Sequence, residues 1–275
     1  MHSEIDVFFQ GRDRAICCHQ IGDAIVDPGP ESSLPALLEA IGEDVPRRIL
    51  LTHIHLDHAG ATGALVRLWP DVEVWVHERG APHVEDPSKL VASATRLYGD
   101  RMQTLWGEIV PVPAERLRIL AGGEAIDGFR VEYTPGHAQH HVSFLHEETG
   151  IAFVGDVGGV RIGGGPVIPP TPPPDIDLEA WNRSLDVVAG WEPSALAVTH
   201  YGTFPDVERQ VEAVREGLRR NADMARAMDA DAFERAIRAQ LQGIPEGPSY
   251  FVSMPPETLH SGLARYWQKR LNTGG

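Results

Sequence analysis

Hydrophobic and polar positions along this chain repeat in two rhythms. Short apolar runs of four to six residues mark strands, and stripes spaced three and four apart mark helices. AICCHQIGDAIVD, from Ala15, reads as two strands meeting near Gly22, with DPGP as the turn that follows. Leu34, Leu37, Leu38 and Ile41 form a helical face that Gly42 ends. RRILLTH is a short buried strand, GALVRLW a helix and VEVWVH another strand. Between Ser88 and Ile109 the spacing of Leu90, Ala94, Leu97 and Leu105 predicts a helix.

FRVEYTPGH is a strand entering a Pro-Gly turn, and VSFLHEETGIAFVGD reads as a hairpin. GGGPVIPPTPPPD, from Gly163 to Asp175, is too rich in Gly and Pro for a regular element. It predicts a long exposed loop, partly polyproline II, ahead of a helix carrying Leu178, Trp181, Leu185 and Val188. SALAVTH is one more strand. Beyond Pro205 the pattern turns wholly helical: Val207, Val211, Val214 and Leu218 form one stripe, Phe233, Ile237 and Leu241 another, and Leu259, Leu263 and Trp267 a third. With no repeat at a solenoid period, the expected organisation is an α/β domain over 1–205 and a helical segment over 206–275 packed on it.

The ends of the strands carry the chemistry. RILLT stops at His53, VEYTPG at His137, IAFVG at Asp156 and ALAVT at His200, so each apolar run ends on a residue able to bind a metal. The first of them opens a cluster, His53-Ile54-His55-Leu56-Asp57-His58. In extended chain His53 and His55 project to the same side, while Asp57 and His58 follow where the chain leaves the strand. Two ligand sets are therefore available from one short loop, and Gly60 and Gly63 allow tight passage into the next helix.

His53-x-His55-x-Asp57-His58, followed in order by His137, Asp156 and His200, resembles the metallo-β-lactamase superfamily, and most of all its glyoxalase II and lactonase-like hydrolase branch. The pattern runs from about Ile16 to Tyr201 and leaves the helical tail outside it. The resemblance implies a four-layer αββα sandwich with a dinuclear metal site at one edge of two facing sheets. Carried over by position, His53, His55 and His137 hold the first metal, Asp57, His58 and His200 the second, and Asp156 bridges them. Asp27, in IVDPG, resembles the family's early strand-end acid, which supports ligands rather than binding metal.

Imidazole and carboxylate donors without thiolate suit two divalent zinc ions per chain, and tolerate manganese or iron. A water between two such ions loses a proton readily, and the hydroxide can attack a carbonyl. Asp57 is the expected proton carrier, and Tyr201, beside His200, a hydrogen-bond donor to substrate or simply a packed aromatic. His140 and His141 follow His137 closely enough for one of them to line the pocket; His19, His77, His83 and His146 have no such pattern. Tyr250, Phe251, Met254 and Trp267 read first as core and second as an apolar acyl-binding surface.

Composition narrows the function. The chain has 275 residues, 42% of them hydrophobic, and a formal net charge of −15 with no long Lys/Arg run. That field disfavours nucleic acid and acidic membrane surfaces as partners and leaves a small-molecule substrate; a homodimer through the helical tail is compatible. MHSEIDVFFQGRDR lacks the pattern of a secretory leader, and no apolar stretch approaches a membrane span. The cysteines, Cys17 and Cys18, are adjacent and cannot staple distant segments, so a cytoplasmic setting is expected and both read as small strand residues. The leading expectation is a metal-dependent hydrolase of small esters, thioesters or lactones. The alternative is a mononuclear iron oxygenase resembling the persulfide dioxygenases of the same fold. A flavodiiron protein would have Glu at His55, a secreted β-lactamase a leader, and a nuclease a less acidic surface.

Overall fold

The computed structural model describes residues 1–273, so positions 274 and 275 of the expected helical segment lie outside the described residues. Their strands form two six-stranded mixed sheets, and the chain divides into two units. The first unit comprises residues 1–133 and 140–144, the second 134–139 and 145 onward.

In the first unit the strands are β1 (His2–Asp6), β2 (Cys17–Ile21), β3 (Ala24–Val26), β4 (Arg48–Leu50), β5 (Glu73–His77), β6 (Leu117–Leu120), β7 (Ala125–Ile126) and β8 (Phe129–Tyr133). Its helices are α1 (Leu34–Ile41), α2 (Leu56–Ala59), α3 (Thr62–Leu68), α4 (Ala81–Glu85), α5 (Ser88–Tyr98) and α6 (Met102–Trp106). One sheet runs in the order β1-β2-β3-β4-β5-β6, antiparallel through β3 and parallel from there on. Ile25, Ile49, Leu50, Val74, Trp75 and Val76 on its parallel strands are fully buried, as strands covered on both faces require. β7 and β8 pair antiparallel, at one end of the other sheet.

The helix expected from Ser88 to Ile109 is broken in two. Gly99 takes φ +54° and ends α5, and a single 3-10 turn leads into α6. The break lets Trp106 turn inward to stack on Phe9 at 5.5 Å. Gly63 lies inside α3, where a Cβ would sit 1.9 Å from the carbonyl oxygen of Val110; close approach of two backbones demands glycine there.

β9 (Val142–His146) joins the two parts of the chain. In the second unit follow β10 (Ile151–Phe153), β11 (Ala195–Val198), β12 (Gly202–Phe204), α7 (Leu178–Gly190), α8 (Val207–Ala227), α9 (Ala230–Gln240), α10 (Gly247–Ser253) and α11 (Pro256–Thr273). β10 pairs parallel with β11, and β11 antiparallel with β12. The expected stripes become core through Trp181, Leu185 and Val188 of α7, Val211, Val214 and Leu218 of α8, Phe233 and Ile237 of α9, and Leu259 and Leu263 of α11, whereas Trp267 is only half-buried against that core. Tyr250 and Met254 join them, so their reading as core holds within this unit. Asp177 starts α7 by accepting a 2.8 Å hydrogen bond from the Ala180 amide. α10 went unforeseen, because seven residues opening on Gly-Pro carry no stripe.

The Pro-rich segment departs from its expected exposure. Ile168, Pro169, Pro170 and Thr171 are buried, and Val160 and Ile168 form an isolated antiparallel bridge. Its irregular backbone is covered by the tail: the Gly262 backbone on α11 and the Gly217 backbone on α8 both press against it. Among the described residues no helix is long and apolar enough to cross a membrane.

The contact at Gly63 has a measurable consequence. Gly63→Ala forces α3 away from the Val110 carbonyl and lowers stability by about 1–3 kcal/mol, readable as a shift in the urea midpoint. An unchanged midpoint would contradict the close approach.

Candidate metal centre

The first unit supplies one set of donors. β4 ends at Leu50, and Leu51 still donates to the Trp75 carbonyl, so the strand's register carries the chain to Thr52 and His53. The Thr52 carbonyl accepts from the Val142 amide, which fixes the backbone just ahead of the cluster. At His55 the chain turns into α2, with the amides of His58 and Ala59 donating to the His55 carbonyl. Gly29 donates to the His58 carbonyl, and Ala61 to that of Gly29, so α2 is tied to the turn after β3.

That turn carries Asp27, fully buried and at φ +51°. Asp tolerates this left-handed conformation better than most residues, and here it aims the carboxylate inward. Its Oδ1 accepts from the Thr52 amide at 2.8 Å, and its Oδ2 from the Thr52 hydroxyl at 2.6 Å. The same Oδ2 lies 2.8 Å from His58 Nδ1. Asp27, His53 and His58 offer donor atoms within 4.8 Å of one another, but these contacts already occupy both Asp27 oxygens. Asp27 is therefore spent on holding Thr52 and His58.

The second unit supplies the other set. The Pro-Gly turn after Tyr133 needs Gly136, at φ +141°, because a Cβ there would lie 2.3 Å from Cα of Trp181. Next to it His137 meets the Trp181 ring edge-on at 5.5 Å, and the Trp181 indole donates to the Val157 carbonyl at 3.0 Å. Asp156 sits in the 3-10 turn Gly155–Gly158 after β10, and His200 lies just past β11. Asp156 Oδ2 is 3.2 Å from His137 Nε2, and Oδ1 is 3.6 Å from His200 Nε2. The Arg161 amide donates to the His200 carbonyl at 2.7 Å, while the Arg161 guanidinium reaches Asp206 at 2.8 Å.

The hydrogen bonds decide what these sets can hold. The Thr52 hydroxyl spends its proton on Asp27, so its oxygen, 3.1 Å from His53 Nδ1, takes that ring's N–H. His53 Nε2 then turns a lone pair toward His55 Nδ1, 3.0 Å away. His58 gives its Nδ1–H to Asp27, and its Nε2 faces the Asp57 carboxylate at 3.9 Å. His137 Nδ1 is 3.0 Å from the Pro170 carbonyl, which can only accept, so its Nε2 turns a lone pair to Asp156. Electron-rich atoms so close together call for a cation. A metal bound at about 2.0–2.2 Å in tetrahedral geometry holds its donors about 3.3–3.6 Å apart, close to the separations in both units. The residues present fit divalent metal.

Other expectations fall in different places. Asp57 is the more open carboxylate, its side chain 22% exposed against 5% for Asp156. Tyr201 is half-buried against the second unit's hydrophobic core. His141 is fully buried and its ring lies over that of His53 at 5.2 Å; His140 Nδ1 is 3.4 Å from the Ile54 amide. Both therefore belong to the surroundings of the first unit's cluster. His19 and His77 are buried packing groups. Cys17 and Cys18 are buried in β2, and burial pushes both thiols well above their ordinary range, so neither is a thiolate ligand. Thr52 and Pro170 were missed: a lone Thr and one proline among many carry no local signal for a support role.

The Metallo-beta-lactamase superfamily family model matches residues 20–200. Among curated proteins, the metallo-beta-lactamase fold-containing protein ST1585 of Sulfurisphaera tokodaii is 28% identical over 209 residues, which is 72% of this chain and 78% of that protein. Its crystal structure, described as an archaeal metallo-beta-lactamase superfamily protein, superposes with a TM-score of 0.64 at 25% identity, over 80% of this chain and 98% of that one. The hydroxyacylglutathione hydrolase GloC of Haemophilus influenzae is 32% identical over 150 residues, 50% of this chain and 63% of that protein. TTHA1623, crystallised in a di-iron-bound form, superposes with a TM-score of 0.52 at 27% identity, over 70% of this chain and 87% of that one.

Asp27 holds three donors in a dry environment, so its removal reads out without any metal. Asp27→Ala strands the Thr52 amide, the Thr52 hydroxyl and His58 Nδ1, and destabilises the metal-free protein by about 3 kcal/mol or more in urea unfolding. A loss under about 1 kcal/mol would show that Asp27 does not organise the cluster.

Proposed function

Because the chain belongs to the metallo-β-lactamase superfamily, whose members are largely metal-dependent hydrolases, we propose that its two donor sets serve one dinuclear centre and that it hydrolyses a small ester, thioester or lactone. The observation that carries this reading is the orientation of the imidazoles: in His53, His58 and His137 an oxygen takes the Nδ1–H and leaves Nε2 turned toward another donor. Hydrogen bonding alone gives no reason for that repetition, whereas metal binding does. His53, His55 and His137 are assigned to one ion, Asp57, His58 and His200 to the other, and Asp156 to both. GloC, named a hydroxyacylglutathione hydrolase, favours thioesters within the class. Zinc is the first choice for the donors, and the di-iron form of TTHA1623 keeps iron in view.

When bound, such ions supply an acidified water and positive charge for a carbonyl oxygen that turns anionic. The chain's own residues do the rest. Asp27, Thr52 and the Pro170 carbonyl hold three imidazoles in the tautomer that leaves Nε2 available. Asp57, the more open carboxylate, takes the proton released as the carbonyl is attacked and delivers it to the departing oxygen or sulfur. Buried His141 and Ile54 keep bulk water from the rear of the first unit's cluster. The donor role expected for the Tyr201 hydroxyl stays part of this proposal; Tyr201→Phe, compared with wild type for kcat at saturating substrate, checks it.

Metal analysis of protein purified without added metal, joined to a panel of thioesters, lactones and phosphodiesters, tests the reading. The expected result is about two divalent ions per chain and turnover confined to carbonyl substrates, abolished by chelator. Turnover of phosphodiesters alone overturns it, and one iron per chain with oxygen uptake gives the site to an oxygenase. Asp57→Asn that still loads metal should lose about 10²–10⁴ in kcat; full turnover removes Asp57 from proton transfer.

A further inference from the structure

We propose that Tyr250 and Thr171 are positioning residues for the metal ligand His137, so that the C-terminal helices set the affinity of the metal centre through the Pro-rich segment. The proposal rests on the metal-binding role of His137 given above and adds what governs it. His137 Nδ1 is held by the carbonyl of Pro170, and that bond turns Nε2 toward Asp156. The orientation of a metal-binding ring is therefore delegated to one backbone carbonyl in a segment without a strand or helix of its own.

Such a segment cannot hold a carbonyl in place unaided. Pro169, Pro170, Pro172, Pro173 and Pro174 have no amide to donate, so neighbours must fix it. The tail supplies them. The Tyr250 hydroxyl accepts from the Ile162 amide at 2.9 Å and donates to the Pro166 carbonyl at 2.6 Å, clamping the start of the segment. Burial raises this phenol to about 12, so it keeps the proton that the second bond needs. Immediately after Pro170, the Thr171 hydroxyl donates to the Leu259 carbonyl of α11 at 3.0 Å. A Cβ on Gly262, one turn along α11, would lie 2.1 Å from the Thr171 carbonyl oxygen, and one on Gly217 of α8 would lie 2.6 Å from the Pro169 ring. Lys269 Nζ reaches the Pro174 carbonyl at 3.2 Å. Pro170 is thus fixed on both sides by the helical tail.

A group that bonds the ligand itself, as the Pro170 carbonyl does, is worth about 10–100-fold in metal affinity; Tyr250 and Thr171 act one contact further out, so each carries a part of that. Thr171→Val and Tyr250→Phe keep the shape of each side chain and delete the hydrogen bonds. Each variant, confirmed folded by circular dichroism, is titrated with Zn2+ against a chromogenic chelator. Nitrogen-15 spectra of the metal-free proteins report the His137 tautomer. Both variants should bind one ion about 3–10-fold more weakly, below the range for a direct partner, and show mixed tautomers at His137, while Thr171→Ser restores wild-type behaviour. Trp267→Phe serves as the control, since it deletes a tail hydrogen bond, to the Ala222 carbonyl, that does not reach the segment; it should bind as wild type.

Wild-type affinity and a single tautomer in both variants would overturn the proposal and leave the metal reading standing. Equal weakening by Trp267→Phe would also overturn it, by showing a general loosening. A wild-type protein that binds no Zn2+ would instead defeat the metal reading itself, and this proposal with it.

Discussion

An imidazole has two nitrogens, and committing one of them decides the other. The sites in this chain depend on that rule. In the first unit the commitment comes from a buried carboxylate, Asp27, acting on His58 directly and on His53 through the Thr52 hydroxyl. In the second it comes from a neutral backbone carbonyl, that of Pro170. A charged and an uncharged acceptor thus impose the same tautomer on rings that sit far apart in sequence.

The scaffold supplies the rigidity that this arrangement needs. His53 follows β4 and His200 follows β11, both apolar strands buried among neighbours, so a side chain there inherits a fixed backbone. Close contacts add to this at Gly136, where only glycine lets the His137 turn lie against Trp181. Asp57 differs. It lies on the four-residue α2 and keeps a share of its surface exposed, so its position is less fixed than theirs.

The sequence revealed what is local and periodic. The His-x-His-x-Asp-His cluster, the strand ends at His137, Asp156 and His200, and the stripes of α7, α8 and α11 are all written in short stretches of chain. Asp27 was legible only through the family resemblance of IVDPG. What escaped depends on contacts between distant segments. Nothing near Pro170 announces that its carbonyl will meet a histidine 33 residues away. The Pro-rich segment has the composition of an exposed loop, and only packing by α8 and α11 buries it. The break at Gly99 follows from where Trp106 must go, a demand that helical spacing does not contain. β1 has one apolar residue, Ile5, and β7 is only two residues long, so pairing rather than a readable pattern creates both edge strands.

The two cysteines carry a last implication. Sealed inside β2 and held protonated by their surroundings, they present no soft sulfur to thiophilic ions such as cadmium or copper(I). Ions entering this protein meet no thiolate from either cysteine. Reagents that act by capturing an exposed thiol would therefore find neither cysteine within reach in the folded chain.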